Sequence, residues 1–174
     1  MSGPASGDCV FAFQTALGWM AALGRGRTLK ALAFGHSSAA EAMAALGGPA
    51  LAGACRRNWN AALVKRLQAY AAGKCADFRQ VEVDPGVVSR FQRRVIETCR
   101  KIPWGSTWTY GELAAKAGYP GAARAAGNCM AANRIPLVVP CHRVVGADGR
   151  LRGYSGPGGL RMKQRLLELE RQRG

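Results

Sequence analysis

Acidic side chains are scarce in this sequence. Asp and Glu number 10 against 25 Lys and Arg, a formal net charge of +15. That balance disfavours cationic partners and favours a polyanion, because each phosphate neutralised by Lys or Arg releases condensed counterions. The excess is uneven: residues 1–84 carry 9 basic and 5 acidic side chains, residues 85–174 carry 16 and 5. Histidine is rarer still, with only His36 and His142. The six cysteines, at 9, 55, 75, 99, 129 and 141, include no C-x-x-C pair and match no zinc or disulfide framework, so no metal site is expected. No apolar run reaches membrane-spanning length, and the opening MSGPASGDCV lacks the charged-then-apolar order of a signal peptide. The expectation is a soluble, cytoplasmic protein with reduced thiols and no membrane partner.

What is present divides into two halves. Segments 9–14, 17–23 and 28–34 are short, apolar-rich and separated by turn residues, and they predict strands. Helices are expected near 38–46 and 59–72, the second with Leu63, Leu67, Tyr70 and Ala71 on one face. VEVDPG at 81–86 reads as a linker, broken by Pro85 and Gly86, which places a boundary between domains 1–84 and 85–174. The second domain opens with an amphipathic helix at about 87–101. Thr109 followed by Glu112 is a capping-box signature and starts a short helix over 110–117. GYPG at 118–121 turns the chain into a second helix that stops near Asn133, and the pair forms a helix-turn-helix candidate. On that second helix Ala122, Ala126, Cys129, Met130 and Asn133 share the inward face. Arg124 points outward from a surface of Ala and Gly: a thin helix with one long cation, suited to a narrow groove.

The chemistry concentrates in VVPCHRVV at 138–145. Cys141 is a potential nucleophile, His142 a potential base, and Arg143 a permanent cation expected to favour thiolate. Pro140 argues against a regular central strand. In the C-terminal amphipathic helix, 160–171, Glu170 falls on the same face as Leu166 and Leu167. An inward carboxylate needs a partner, and His142 is the natural one. Cys–His–Glu then follows the nucleophile, base and orienter logic of activated cysteines.

The blocks IPWGSTWTYGEL, AARAAGNCMAAN, PCHRV, GYSG and LLELE occur in this order. Together they resemble the O6-alkylguanine-DNA alkyltransferases, the methylated-DNA–protein-cysteine methyltransferases, from about Phe91 to Glu170. The resemblance implies an α/β two-domain fold: a strand-rich, ribonuclease H-like N-terminal domain and a mostly helical, winged-helix-like C-terminal one. It implies a DNA repair protein that flips O6-alkylguanine, and in some relatives O4-alkylthymine, out of duplex DNA. The alkyl group passes irreversibly to Cys141, so the protein acts once, as a monomer without cofactor, in the cytoplasm and nucleoid-associated in a prokaryote. His142 would take the thiol proton through a water, Glu170 would orient the imidazole, and Asn133 would brace the turn that carries the cysteine. Tyr110 would donate to guanine N3, and Arg124 would fill the gap in the base stack. Ala123, Ala125, Gly127 and Ala131 would complete the minor-groove surface. Met130, Val144, Tyr154, Ser155 and Trp104 would form the base pocket, with the Ser155 N–H on O6 and the Val144 carbonyl on the exocyclic amine. Two departures stand out. Pro157-Gly158 lengthens the glycine segment, and Ala131 replaces a residue often basic in the family.

Three other readings compete. A non-enzymatic alkyltransferase-like lesion binder replaces the cysteine, usually with tryptophan, whereas this chain keeps Cys141. A Cys–His hydrolase needs a histidine facing the thiol; neighbours in extended backbone point apart, and His36 lies in the other domain. A plain helix-turn-helix regulator leaves Cys141, Glu170 and Tyr110 without a role.

Overall fold

Alternating side chains in three adjacent strands build the N-terminal half. In the computed structural model, which describes residues 7–172, these are β1 (Cys9–Thr15), β2 (Gly18–Arg25) and β3 (Thr28–His36). They form an antiparallel meander, with β1 paired to β2 and β2 to β3. Successive strand residues face opposite sides of a sheet, and the sequence uses both. Val10, Ala21, Leu23, Ala31 and Ala33 face one way and pack on Ala42 and Leu46 at α1 (Ala39–Ala45). Phe13, Met20, Ala22, Leu32 and Phe34 face the other way, into the main core. The first strand and helix predictions hold to within a few residues. Helix α1 starts where Ser38 accepts a hydrogen bond from the Glu41 N–H, one of the donors a helix start leaves unpaired.

A short helical turn, α2 (Gly48–Leu51), leads to β4 (Cys55–Arg56), which adds to β1 in parallel. Cys9 and Cys55 lie opposite each other in that pairing, with Cα atoms 4.4 Å apart, and are joined as a disulfide. The expectation that all thiols are reduced is therefore corrected. Sequence spacing alone did not bring the two together; the parallel register of β1 and β4 does. The opening residues 1–6, read for a leader, lie outside the described residues. Among the described residues no helix is long and apolar enough to cross a membrane.

Helix α3 (Ala61–Ala71), capped by Asn60, buries Leu63, Val64, Leu67 and Tyr70 against the main-core side of the sheet. The segment read as a linker behaves differently in part. Glu82–Val83 forms β5, which pairs in parallel with β3 and completes the sheet order β4-β1-β2-β3-β5. Pro85 and Gly86 lie just beyond it.

In the C-terminal half, α4 (Arg90–Cys99) carries a full capping box of Ser89 and Gln92. The short β6 (Trp108–Thr109) runs straight into α5 (Tyr110–Lys116), where Thr109 and Glu112 make the expected reciprocal cap. Helix α6 (Ala123–Ala131) follows. Its Ala126, Cys129 and Met130 are buried while Arg124 is exposed, the division the helical wheel anticipates. A 3-10 turn at Cys141–Arg143 precedes β7 (Val144–Val145), which pairs with β6, and α7 (Gly159–Arg171) closes the chain.

One continuous core spans both halves: Phe13, Leu67 and Tyr70 pack in the same cluster as Val95, Leu113 and Leu166. Hydrogen bonds reinforce the junction. The Leu32 N–H donates to the Arg134 carbonyl at 2.9 Å. Arg100 Nη2 donates to the carbonyls of Phe78, Arg79 and Val81 at 2.9, 3.1 and 2.6 Å, tying the connecting segment to the end of α4. Removing a donor while its acceptors stay partly buried leaves their desolvation uncompensated. Arg100→Met, which keeps the aliphatic stem, should therefore destabilise the fold by about 2 kcal/mol. Urea unfolding, read as a lower midpoint at unchanged slope, measures this.

Candidate active site

The turn that carries the cysteine is fixed by one asparagine. Asn133, just past α6, accepts from the Ile135 N–H through Oδ1 at 3.0 Å and donates through Nδ2 to the Val139 carbonyl at 2.9 Å. The same Nδ2 lies 3.2 Å from Cys141 Sγ. Between these points Leu137 adopts φ 68°, the left-handed region that residues with a Cβ avoid. It is held there by burial, at 1% exposure, and by the bonds around it. Strain of this kind persists only where the surroundings over-determine it. The result is a thiol set at a defined point. Cys141 is 7% exposed and opens on a cleft of about 440 Å³. Tyr154 and Ser155 line the same cleft, and Phe34, His36 and Leu46 of the N-terminal half form its far wall.

Behind the thiol lies a buried polar cluster centred on Glu170. Its Oε1 is 2.7 Å from His142 Nε2 and accepts from Tyr70 Oη at 2.8 Å and from Arg143 Nη2 at 3.0 Å. Its Oε2 accepts from Arg143 Nε at 2.9 Å and from the Gly105 N–H at 3.1 Å. His142 and Glu170 are both fully buried. A carboxylate can only accept, so His142 Nε2 carries the proton, and Nδ1 of the neutral ring is left as an acceptor. Among the described residues Nδ1 has no hydrogen-bond partner, and it is itself buried. Burial pushes the imidazole below its ordinary pKa despite the pull of Glu170. Burial alone would raise the Glu170 carboxyl, but the hydrogen bonds and charges of His142 and then Arg143 hold it well below the usual carboxylate range.

Arg143 corrects one expectation. Its guanidinium is committed to both oxygens of Glu170 and, through Nη1, to the Ile102 carbonyl at 2.7 Å. The cation that favours thiolate is instead Lys163, buried on α7 at 1% exposure. Its ammonium donates to the Arg152 carbonyl at 3.0 Å and towards Tyr110 Oη at 3.4 Å. Burial raises the Cys141 thiol pKa; Asn133 and Lys163 offset part of that rise. The resting site is therefore a neutral thiol beside a neutral imidazole.

The remaining sequence-selected residues fall into three places. Arg124 and Ala125 are exposed and Ala123 is half-buried on α6, with Ala131 exposed at its end. Gly127 sits against the Tyr110 ring, where an added Cβ would meet the ring at 3.7 Å. Met130 and Val144 are core residues and do not line the cleft. Trp104 does not line it either. It stands edge-on to Tyr70, with centroids 5.3 Å apart, and borders a separate cleft beside Pro140 and Arg143. Among the described residues no group of three or more His, Cys, Asp or Glu is gathered as a metal site.

Comparison with known proteins finds relatives of one kind. A family model described as the DNA binding domain of 6-O-methylguanine DNA methyltransferase matches residues 90–172. The crystal structure of Mycobacterium tuberculosis O6-methylguanine methyltransferase is 35% identical, covers 97% of this chain and 95% of its own, and superposes with a TM-score of 0.80. This chain belongs to the O6-methylguanine-DNA methyltransferase family. A structure of Mycobacterium tuberculosis OGT in complex with DNA is 36% identical over 95% of this chain and 94% of that one, with a TM-score of 0.78. The methylated-DNA–protein-cysteine methyltransferase of Mycolicibacterium paratuberculosis is 51% identical over 111 residues, which is 64% of this chain and 65% of the relative's length. The mixed sheet with flanking helices is the architecture this chain shares with its methyltransferase relatives.

Two residues around the thiol and its buried cluster, Lys163 and Tyr70, escaped the sequence reading. Lys163 had a signal, since 163, 166, 167 and 170 share one helical face. Tyr70 was placed on an apolar face, but nothing in the pattern showed what its hydroxyl meets. The buried cluster also fixes a pH dependence. A group whose folded pKa is depressed contributes stability above its unfolded pKa and loses it as pH falls. His142, depressed from 6.5, and Glu170, depressed from 4.5, act in the same direction. Stability should therefore fall below about pH 6.5 and more steeply below about pH 4.5. Glu170→Gln should cost about 3–5 kcal/mol at neutral pH, because it strands Arg143, and should flatten the steeper limb. Guanidinium melts at a series of pH values test both.

Proposed function

We propose that this protein is a single-turnover DNA repair methyltransferase that moves an alkyl group from guanine O6 in duplex DNA to its own Cys141. The observation that carries the reading is the thiol itself: braced by Asn133, open to a cleft, and followed in the chain by a buried imidazole whose Nδ1 has no partner among the described residues. In this reaction His142 takes the thiol proton through a bridging water. The sulfur lone pair forms the S–C bond as the C–O6 bond breaks, and that electron pair leaves on guanine. Tyr110 donates its proton at guanine N3 and is reprotonated from solvent, to which His142 releases the thiol proton, and the guanine proton then resettles on N1. The Tyr110 hydroxyl faces the Lys163 ammonium as an acceptor, which leaves its own O–H free to donate. The products are an S-alkylcysteine and unmodified guanine. A thioether is a poor leaving group, so each molecule acts once.

A base inside the stack is beyond the reach of Cys141, so the damaged nucleotide must be flipped out, at a cost of a few kcal/mol. The positive C-terminal half offsets that cost without regard to sequence. Arg124, exposed on a helix of small residues, has the reach to occupy the space the nucleotide leaves. Ala123, Ala125, Gly127 and Ala131 allow the close approach, and Tyr154 and Ser155 form the wall on which the base would sit. We further assign a ribonuclease H-like sheet to residues 1–84 and a winged-helix-like unit to 85–174, and a monomer as the working form.

Incubation with a duplex oligonucleotide containing one O6-methylguanine, followed by peptide mass spectrometry, should place one methyl group on the Cys141 peptide. Cys141→Ala should lose transfer while retaining DNA binding. An unmodified peptide despite tight binding would instead identify a lesion-flagging protein. Arg124→Ala should slow repair of duplex DNA at least tenfold while changing reaction with a free alkylated guanine base little, since removing the wedge leaves the flip uncompensated. Equal losses on both substrates would remove Arg124 from the flipping step.

A further inference from the structure

Tyr70 belongs to the N-terminal half, yet its hydroxyl ends inside the Glu170 cluster. It donates to Glu170 Oε1 at 2.8 Å and lies 3.2 Å from His142 Nε2. The residue is fully buried. Its ring is held independently of the carboxylate by a tilted contact with Phe78 and an edge-on contact with Trp104, with centroids 5.9 and 5.3 Å away. Glu170, in turn, is held without Tyr70. Arg143 grips both of its oxygens and the Gly105 N–H fixes Oε2. The Tyr70 hydroxyl is therefore not needed to place the carboxylate. What it alters is the charge available on Oε1, the oxygen that faces the imidazole N–H.

A donor on that oxygen competes with the imidazole for the same lone pairs and weakens the field that would stabilise an imidazolium. We propose that Tyr70 is a positioning residue of the alkyl-transfer site, whose O–H bond to Glu170 Oε1 limits the carboxylate's hold on His142 and so keeps the imidazole neutral and able to accept the Cys141 proton. The inference rests on the reaction proposed above. It makes the N-terminal half a working part of the site rather than a scaffold. The other charged or titratable groups around the imidazole are Arg143 and Cys141 from its own turn, Glu170 and Lys163 from α7, Tyr154 from the loop before α7, and Cys99 from α4. Of these, only Glu170 draws a proton onto His142, and Tyr70 is the neutral donor set against that draw.

The test uses the full chain labelled with 15N at its imidazoles. There are only two histidines, and His36→Gln assigns the pair. In Tyr70→Phe, the His142 titration midpoint should rise by roughly one pH unit, the scale of one charge-assisted hydrogen bond. The acid limb of methyl transfer to an O6-methylguanine duplex should move up with it, so that the variant falls roughly tenfold behind wild type at acidic pH and matches it at alkaline pH. A second variant runs the opposite way: 3-fluorotyrosine at position 70, a stronger donor, should lower the midpoint. A purely structural role would lower the melting temperature or scale the rate equally at all pH values. Unmoved His142 midpoints in both variants would overturn the inference. Failure of wild type to methylate Cys141 would instead overturn the proposed reaction, and the His142 titration would still judge the hydrogen bond on its own.

Discussion

The site depends on a single buried carboxylate that cannot exist without its donors. Glu170 is fully enclosed, and an ionised carboxylate there is tolerable only if its charge is paired and its lone pairs are occupied. Five donors do so: two from Arg143 and one each from His142, Tyr70 and the Gly105 N–H. They come from α3, the loop after α4, and the 3-10 turn, and they converge on the last helix. The same contacts that satisfy the charge therefore hold four distant stretches of chain together. Neither half of the protein completes the cluster alone.

From this follows the electrostatic character of the thiol's surroundings. Arg143 and Tyr70 share the Glu170 carboxylate with His142, and burial of the ring outweighs the remaining pull of Glu170 and keeps the ring uncharged. Burial likewise keeps Cys141 protonated, with Lys163 and the Asn133 amide as the nearest compensation. The nucleophile is prepared by placement beside an acceptor rather than by standing as a thiolate. On the proposed reading this suits a protein that must meet many undamaged bases before one lesion, since a thiol is far less open to stray electrophiles and oxidants than a thiolate.

How much of this was legible in the sequence varies with the kind of signal. Short apolar-rich runs between turn residues placed β1 to β3, and reciprocal capping by Thr109 and Glu112 placed the start of α5. Helical periodicity placed Arg124 outward and Glu170 inward. These are local patterns, and local physics decides them. Pairings across the chain were not legible. The two residues of β5 sit in a stretch whose Pro and Gly read as a linker, and only β3 makes them a strand. Cys9 and Cys55 meet through strand register, not spacing. Arg143 was expected to act on its neighbour in sequence, but a guanidinium reaches several ångströms, and the buried carboxylate was the stronger attractor. Trp104 was expected in the base pocket but packs edge-on to Tyr70 and borders a different cleft.

The account stands or falls on the state of one imidazole. Its Nε2 must carry the proton that Glu170 accepts, and its Nδ1 must be bare at neutral pH. The 15N chemical shifts of His142 in the resting, full-length protein report this directly. The account predicts a neutral ring protonated at Nε2. A ring protonated at Nδ1, or a charged imidazolium at pH 7, would contradict it.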